Sequence, residues 1–184
     1  MTYKEFLPWV DEMALEFIEF ECTESLDNKL YSGKSLKDEE PPKIYIKDPA
    51  GRPPDFLSGI GTSLPIVSVK VKEFLQGTED VKHFEFIQTT ILDYEKDIEY
   101  YILNILDVID AFDWEQSDYD LFDEPGPKGN KVIEELRKTV LIEEKIKGRN
   151  LFYVKDFPSK VFISEKLEAQ FVKAGIRDFR TINI

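Results

Sequence analysis

Near the start of the chain Phe6, Trp9, Val10, Met13, Phe17 and Phe20 fit the period of one helical face. Within that stretch LEFIEF (Leu15 to Phe20) reads equally as a strand, so two assignments stand. From Leu26 to Lys43, Gly33 and the pair Pro41-Pro42 indicate an irregular connection. KIYIK (Lys43 to Lys47) is expected to be a short strand, and DPAGRPPDFLSGIG (Asp48 to Gly61) a loop dictated by its prolines and glycines.

LPIVSVKVKEFLQG (Leu64 to Gly77) starts as an apolar strand and turns helical, with Ser68 placed to cap the helix and Gly77 to end it. HFEFIQTTIL (His83 to Leu92) is a strand. EYYILNILDVIDAF (Glu99 to Phe112) is apolar at both parities. That suits a central strand covered on both faces. A buried helix is the alternative, but the β-branched and aromatic content favours the strand. WEQSDYDLFDEPGPKGN (Trp114 to Asn130) reads as an acidic loop, KVIEELRKTV as a short helix, and LIEEKI and LFYV as strands joined at Gly148. VFISEKLEAQFVKAGI (Val161 to Ile176) repeats the earlier device: a strand, Ser164 as cap, Leu167 and Phe171 on one face, and Gly175 as stop. The expected fold class is α+β, a mixed or antiparallel sheet with a few short helices.

The 184-residue chain is 42% hydrophobic and 13% aromatic. That suits one domain spanning 1–184 with a real core rather than a disordered acidic tail. Charge changes the picture more. The net charge is -13, which disfavours nucleic acid and anionic membranes as partners and favours a basic one. Between Asp93 and Glu124, twelve acids face the single base Lys96, so this stretch carries -11 of the total and the rest only -2. Such runs are commonly solvated faces, but the concentration marks one region. The only cysteine, Cys22, leaves no intrachain disulfide and no CxxC site, and is expected to be a small buried hydrophobe. The opening MTYKEFLPWVDE has acids where a signal peptide needs an apolar core. No apolar run approaches a membrane span. A cytoplasmic location is expected.

Catalytic chemistry is sparsely supplied. His83 is the only histidine and is expected to be structural, among aromatics. Zinc needs several His or Cys ligands, and neither GxxxxGK[ST] nor GxGxxG occurs. An EF-hand frame starting at Asp113 puts Glu115, Ser117, Tyr119 and Glu124 at ligand positions. It has Asp118 where the turn needs Gly, and lacks flanking helices. No cofactor or metal is expected. Carboxylate pairs are available for a glycosidase-like acid and base. The three-residue spacing of Asp107, Asp110 and Asp113 would scatter them to opposite faces of a strand and gather them on a helix.

The order of YSGKSL with Gly33, Asp55-Phe56, Pro65 with Ser68, Tyr101 to Asn104, Asp110 with Asp113, and Phe152 followed by Phe162-Ile163-Ser164 resembles the immunity protein family numbered eleven of bacterial polymorphic toxin systems, formerly a domain of unknown function. The resemblance covers about Gly33 to Phe179. It implies a cytoplasmic protein that binds and neutralises one cognate toxin domain, without catalysis of its own, and assigns no interface residues. The acidic stretch supplies the candidates for that contact: Asp110, Asp113, Trp114, Glu115, Asp118, Tyr119, Asp120, Asp123 and Glu124. They would suit a basic toxin such as a nuclease, with Trp114 and Tyr119 as aromatic anchors. Trp114 reads equally as a core residue at a strand end. Asp107, inside the apolar run, is expected to be a buried, hydrogen-bonded structural acid. The competing functions are a carboxylate-based hydrolase acting on a neutral substrate such as a sugar, and an interaction module with a calcium-stabilised loop.

Overall fold

The computed structural model describes residues 2–9, 14, 16–46, 51–59, 62–92, 94, 98–124, 131–155 and 157–184. The elements in chain order are β1 (Tyr3–Pro8), β2 (Glu16–Glu21), α1 (Glu24–Asp27), β3 (Lys43–Ile46), β4 (Phe56–Gly59), β5 (Thr62–Ser68) and α2 (Val69–Gln76). A 3₁₀ turn (Glu79–His83) leads to β6 (Phe84–Gln88), β7 (Thr90–Leu92), β8 (Tyr100–Ile105), β9 (Val108–Ile109) and β10 (Asp118–Leu121). The chain closes with β11 (Ile133–Lys138), α3 (Glu143–Ile146), β12 (Leu151–Val154), β13 (Phe157–Ser164), α4 (Glu165–Lys173) and β14 (Phe179–Asn183). The class is α+β, as expected. One sheet runs β14-β1-β13-β12-β9, another β6-β8-β5-β4-β2-β3-β7, and β10-β11 is a separate two-stranded ribbon.

Strand parity sorts side chains between three cores. Tyr101, Leu103 and Ile105 of β8 join Phe56, Val67, Leu151, Tyr153, Val161 and Ile163 between the two large sheets, together with Val71 and Leu75 of α2 and Leu167 and Phe171 of α4. Tyr100 and Ile102 turn to the other face, against Leu26, Leu36 and Ile44. β8 is therefore the doubly covered strand that its unbroken apolar run indicates. The outer face of the five-stranded sheet, with Tyr3, Phe152, Val154 and Phe162, is covered by Ala111, Phe112, Leu141 and Ile146. Cys22 packs half-buried beside the second core, and burial pushes its thiol up.

The helical reading of the N-terminus fails. β1 and β2 are strands, and the alternative for Leu15 to Phe20 holds for the described Glu16–Glu21. Val10 and Met13 lie outside the described residues. Of that apparent period only Phe6 lies in β1, where it enters the inner core while Tyr3 enters the outer one, and Trp9 lies beyond the strand and is exposed.

Both strand-to-helix transitions are present, and each belongs to a larger repeated unit. β4 pairs antiparallel with β5, which runs into α2, while β12 pairs antiparallel with β13, which runs into α4. In each unit the first strand also lies parallel to a further strand, β2 or β9. The Ser68 N–H donates to the Asp55 carbonyl at 3.0 Å and the Ser164 N–H to the Asn150 carbonyl at 2.9 Å. The Ser68 hydroxyl donates to Asp55 Oδ1 and the Ser164 hydroxyl to Asn150 Oδ1, at 3.3 and 2.7 Å. Each hydroxyl then accepts the N–H three residues on, from Val71 or Leu167. The loop expected across Asp48 to Gly61 is thus corrected in part: Phe56–Gly59 is β4, held by its pairing despite the flanking prolines.

Other segments also differ from expectation. The stretch read as a helix at KVIEELRKTV is β11, and the acidic loop contains β10. LIEEKI contains the one-turn helix α3 rather than a strand, too short to express a period. His83 to Leu92 is two strands broken at Thr89, whose N–H and hydroxyl both donate to the Tyr100 carbonyl.

Candidate functional site

The acidic stretch emerges from β8 onto the outer face of the five-stranded sheet. Asp93, Glu95 and Asp97 lie outside the described residues, and the first acid beyond β8 is tied down. Asp107 Oδ1 lies 3.0 Å from His83 Nδ1 and Oδ2 accepts from Arg149 Nη1 at 3.1 Å, with the carboxylate 15% exposed. The Asp107 carbonyl accepts the Tyr153 N–H, and the Leu106 N–H donates to the His83 carbonyl. Asp107 is hydrogen-bonded as expected, but half-buried at the surface rather than buried. His83 ends the 3₁₀ turn rather than lying in a strand, and Arg149 completes a tie that sequence reasoning missed.

Asp110 is exposed, with Lys145 and Lys155 ammonium groups at the outer limit of pairing, 3.9 and 4.0 Å. Ala111 and Phe112 then dip into the outer core. Asp113 closes a turn: Oδ1 accepts the N–H groups of Glu115 and Gln116, both at 3.0 Å, and Oδ2 accepts the Gln116 amide. The Gln116 N–H leads the contacts that hold this carboxyl below its usual range. Trp114 and Tyr119 are half-buried and pack edge-on against Phe112 and each other, with centroids 4.7 to 5.8 Å apart. Lys131 lies over the Trp114 ring.

Beyond this aromatic hinge the chain forms the β10–β11 ribbon. β10 alternates regularly, with Tyr119 and Leu121 half-buried and Asp118 and Asp120 outward. β11 does not. Its register runs Lys138, Leu136, Glu135, Ile133 against Asp118 to Leu121, so Arg137 and Glu134 are extra residues at two bulges. Both extra side chains are exposed, as are Glu135 and Lys138. Arg137 pairs with Asp118 and Asp120 across the strands and with Glu135 on its own. One guanidinium serves three carboxylates, so the group stays negative. Asp120 is held below its usual range chiefly by its bond from Arg137, and the guanidinium is pushed up in turn. Glu115, Asp123 and Glu124 are exposed.

The nine candidates therefore share one region but not one role. Asp110, Glu115, Asp118, Asp120, Asp123 and Glu124 present charge outward, Asp113 shapes a turn, and Trp114 and Tyr119 fasten the ribbon to the core. Asp107, Asp110 and Asp113 do not converge: one is tied inward, one is exposed and one caps a turn. Among the described residues no three His, Cys, Asp or Glu gather as a metal-holding group. An open hollow of about 870 Å³ lies elsewhere, between α2 and α4, and no acid of the 105–124 stretch lines it.

Residues 10–183 match the Immunity protein family (Imm11). The chain belongs to that family. Membership gives it a toxin-neutralising immunity function, in a family that is generally non-enzymatic, with a toxin protein as partner. No curated protein sequence matches the chain significantly. The residues through which it resembles Imm11 proteins are mostly structural. Asp55 holds the Ser68 hydroxyl, Lys70 and the Arg177 N–H. Tyr101 to Asn104 form the buried centre of β8. Asn104 also donates to Glu85, a buried carboxylate that accepts from Ser35 and the Leu36 N–H as well. These bonds outweigh desolvation and keep Glu85 below its usual range. No helix of the described residues is long and apolar enough to cross a membrane.

Proposed function

We propose that this Imm11 protein neutralises a basic toxin domain in the cytoplasm, a nuclease being one such domain, by docking its acidic ribbon onto it. The contact involves protein alone, with no cofactor, nucleic acid or membrane. The observation that carries this reading is the excess of outward acids on and around β10–β11, where Arg137 is shared among Asp118, Asp120 and Glu135 while Glu115, Asp123 and Glu124 stay exposed. Inhibition by occlusion needs no reactive group. It needs complementary shape and charge over roughly 1,600 Å² of total buried surface. A net-acidic patch of this kind raises the association rate and rejects acidic partners. Trp114 and Tyr119 serve by fixing the pose of the ribbon, and Asp113 by fixing the turn before it.

The test is stopped-flow binding to the toxin domain encoded beside the immunity gene, with the toxin's own activity disabled. Glu115→Gln, Asp120→Asn, Asp123→Asn and Glu124→Gln are combined, and Asp113 is left intact because it shapes the backbone. Association is expected to slow by about tenfold or more at low salt and to lose much of its salt dependence. An unchanged association rate at low salt would place the toxin on another face.

A further inference from the structure

We propose that Phe122 and Val132 form the apolar anchor of the docking ribbon, seated in an apolar notch within the basic face of the toxin domain. This rests on the acidic-docking reading above and adds where the complex is held once it has formed.

The alternation of β10 puts Tyr119 and Leu121 inward, and Asp118 and Asp120 outward. Phe122 continues the outward series and is 52% exposed. Its N–H donates to the Val132 carbonyl at 3.0 Å, one step beyond the Leu121↔Ile133 pair. Directly opposed residues of an antiparallel pair lie on the same face. Val132, 36% exposed, is thus the cross-strand neighbour of Phe122. A single surface hydrophobe is ordinary. Two paired at the outward positions of a ribbon, while Ile133 and Leu136 already supply its core contact, are not needed for folding.

The surroundings identify the occupant. Asp120, Asp123 and Glu124 lie next to Phe122 in the chain and are exposed. An apolar centre with a charged rim is the common anatomy of a protein interface. Lys131, beside Val132, is exposed too, but the three acids outnumber it and the rim is net acidic, so a second copy of this chain would bring acid against acid, and an anionic membrane would be repelled equally. A basic protein surface is the partner that satisfies both rim and centre. The work then divides: the acids steer encounter and the buried aromatic slows escape.

The experiment measures association and dissociation rates with the same inactivated toxin domain for the wild type, Phe122→Ser, Val132→Ser and the four-acid variant. Because Phe122 and Val132 are outward, thermal melts of the serine variants should match the wild type. Phe122→Ser should raise the dissociation rate about 10- to 100-fold with little change in association, and Val132→Ser should do the same more weakly. Val132→Ser, on the partner strand, carries the test if Phe122→Ser does not fold. A dissociation rate within about twofold of wild type for both, alongside slowed association of the four-acid variant, would overturn the anchor and leave acidic docking standing. Wild-type rates for every variant would remove both. Loss of a self-associated form in Phe122→Ser, with toxin rates unchanged, would also overturn the anchor, because the patch would then serve a second copy.

Discussion

In the two strand–helix units, at residues 55–77 and 150–176, local chemistry and tertiary environment ask for the same residues. In the acidic cover, at 105–146, they do not. Each unit has a strand with alternating faces, a serine whose hydroxyl both caps a helix and bonds the residue just before the neighbouring strand, and an apolar helix face turned into the inner core. Every signal is short-range and each supports the next. The cover is built from a two-residue strand, a turn held by Asp113, a bulged ribbon and a one-turn helix. Its order comes from packing on the sheet beneath, through Phe112, Trp114, Tyr119, Ile133 and Leu136. On the proposed docking reading, the difference separates what holds the fold from what meets the toxin. The units are fold, and the cover is a surface that the fold presents.

The sharpest way to break that division is to damage the core of one unit. Phe171 is fully buried and packs against Phe56, Phe74 and Phe179, with centroids 5.4 to 5.9 Å away. Phe171→Ala should cost about 3–5 kcal/mol in denaturant melts. The folded fraction should associate with toxin at the wild-type rate. A large change in that rate would mean that the units and the ribbon are coupled.

A smaller effect is expected where the cover begins. Gly33 has φ +71°, and an added Cβ would stand 2.7 Å from the Leu106 carbonyl oxygen and 2.9 Å from Val108 Cγ2. Gly33→Ala must therefore bear left-handed strain and push on the link from β8 to β9. About 1–3 kcal/mol of stability should be lost. Hydrogen exchange should report the loss first in Val108 to Phe112 rather than in α2 or α4. Uniform loss across all three would show that the cover does not open separately.

How far the sequence could be read follows the same line. β3, β8, β12 and both capped transitions are legible because period, cap and burial coincide. β11 is not. Its two bulges space the inward Ile133 and Leu136 three apart, and that interval imitates a helix. β1 misleads for a different reason: Phe6 is buried in the strand, while Trp9, three residues on, lies beyond it and is exposed. At the site, the acids are visible in the sequence because charge is additive along it. Arg137 is not, since its pairing with Asp118 and Asp120 exists only once β11 is a strand. Phe122 is hidden for the same reason: its outward direction is defined by a strand that reads as a loop.

The smallest expected effects lie within the twin units themselves and test how alike they are. Ser164 is fully buried. It donates to Asn150 at 2.7 Å and accepts from Leu167 at 3.2 Å. Ser68 is half-exposed, and its corresponding bonds are longer, 3.3 and 3.5 Å. The helix ends differ in parallel. α4 closes with Gly175 at φ +69°, the Gly175 N–H donating to the Val172 carbonyl and the Ile176 N–H to the Phe171 carbonyl, the double bond of a left-handed stop. Gly77, expected to end α2 by the same freedom, has φ -81° and leaves Thr78 to close the turn on the Leu75 carbonyl. A cap that is buried leaves its N–H without water as a substitute, whereas an exposed one does not. Ser164→Ala should therefore cost about 1–2 kcal/mol and Ser68→Ala about 0.5–1 kcal/mol. Denaturant melts of the two variants, with toxin rates measured alongside, decide it. If Ser68→Ala costs as much as Ser164→Ala, the shared hydrogen-bond pattern governs the energy. The order expected here instead makes burial the governing factor, with the pattern supplying only the geometry.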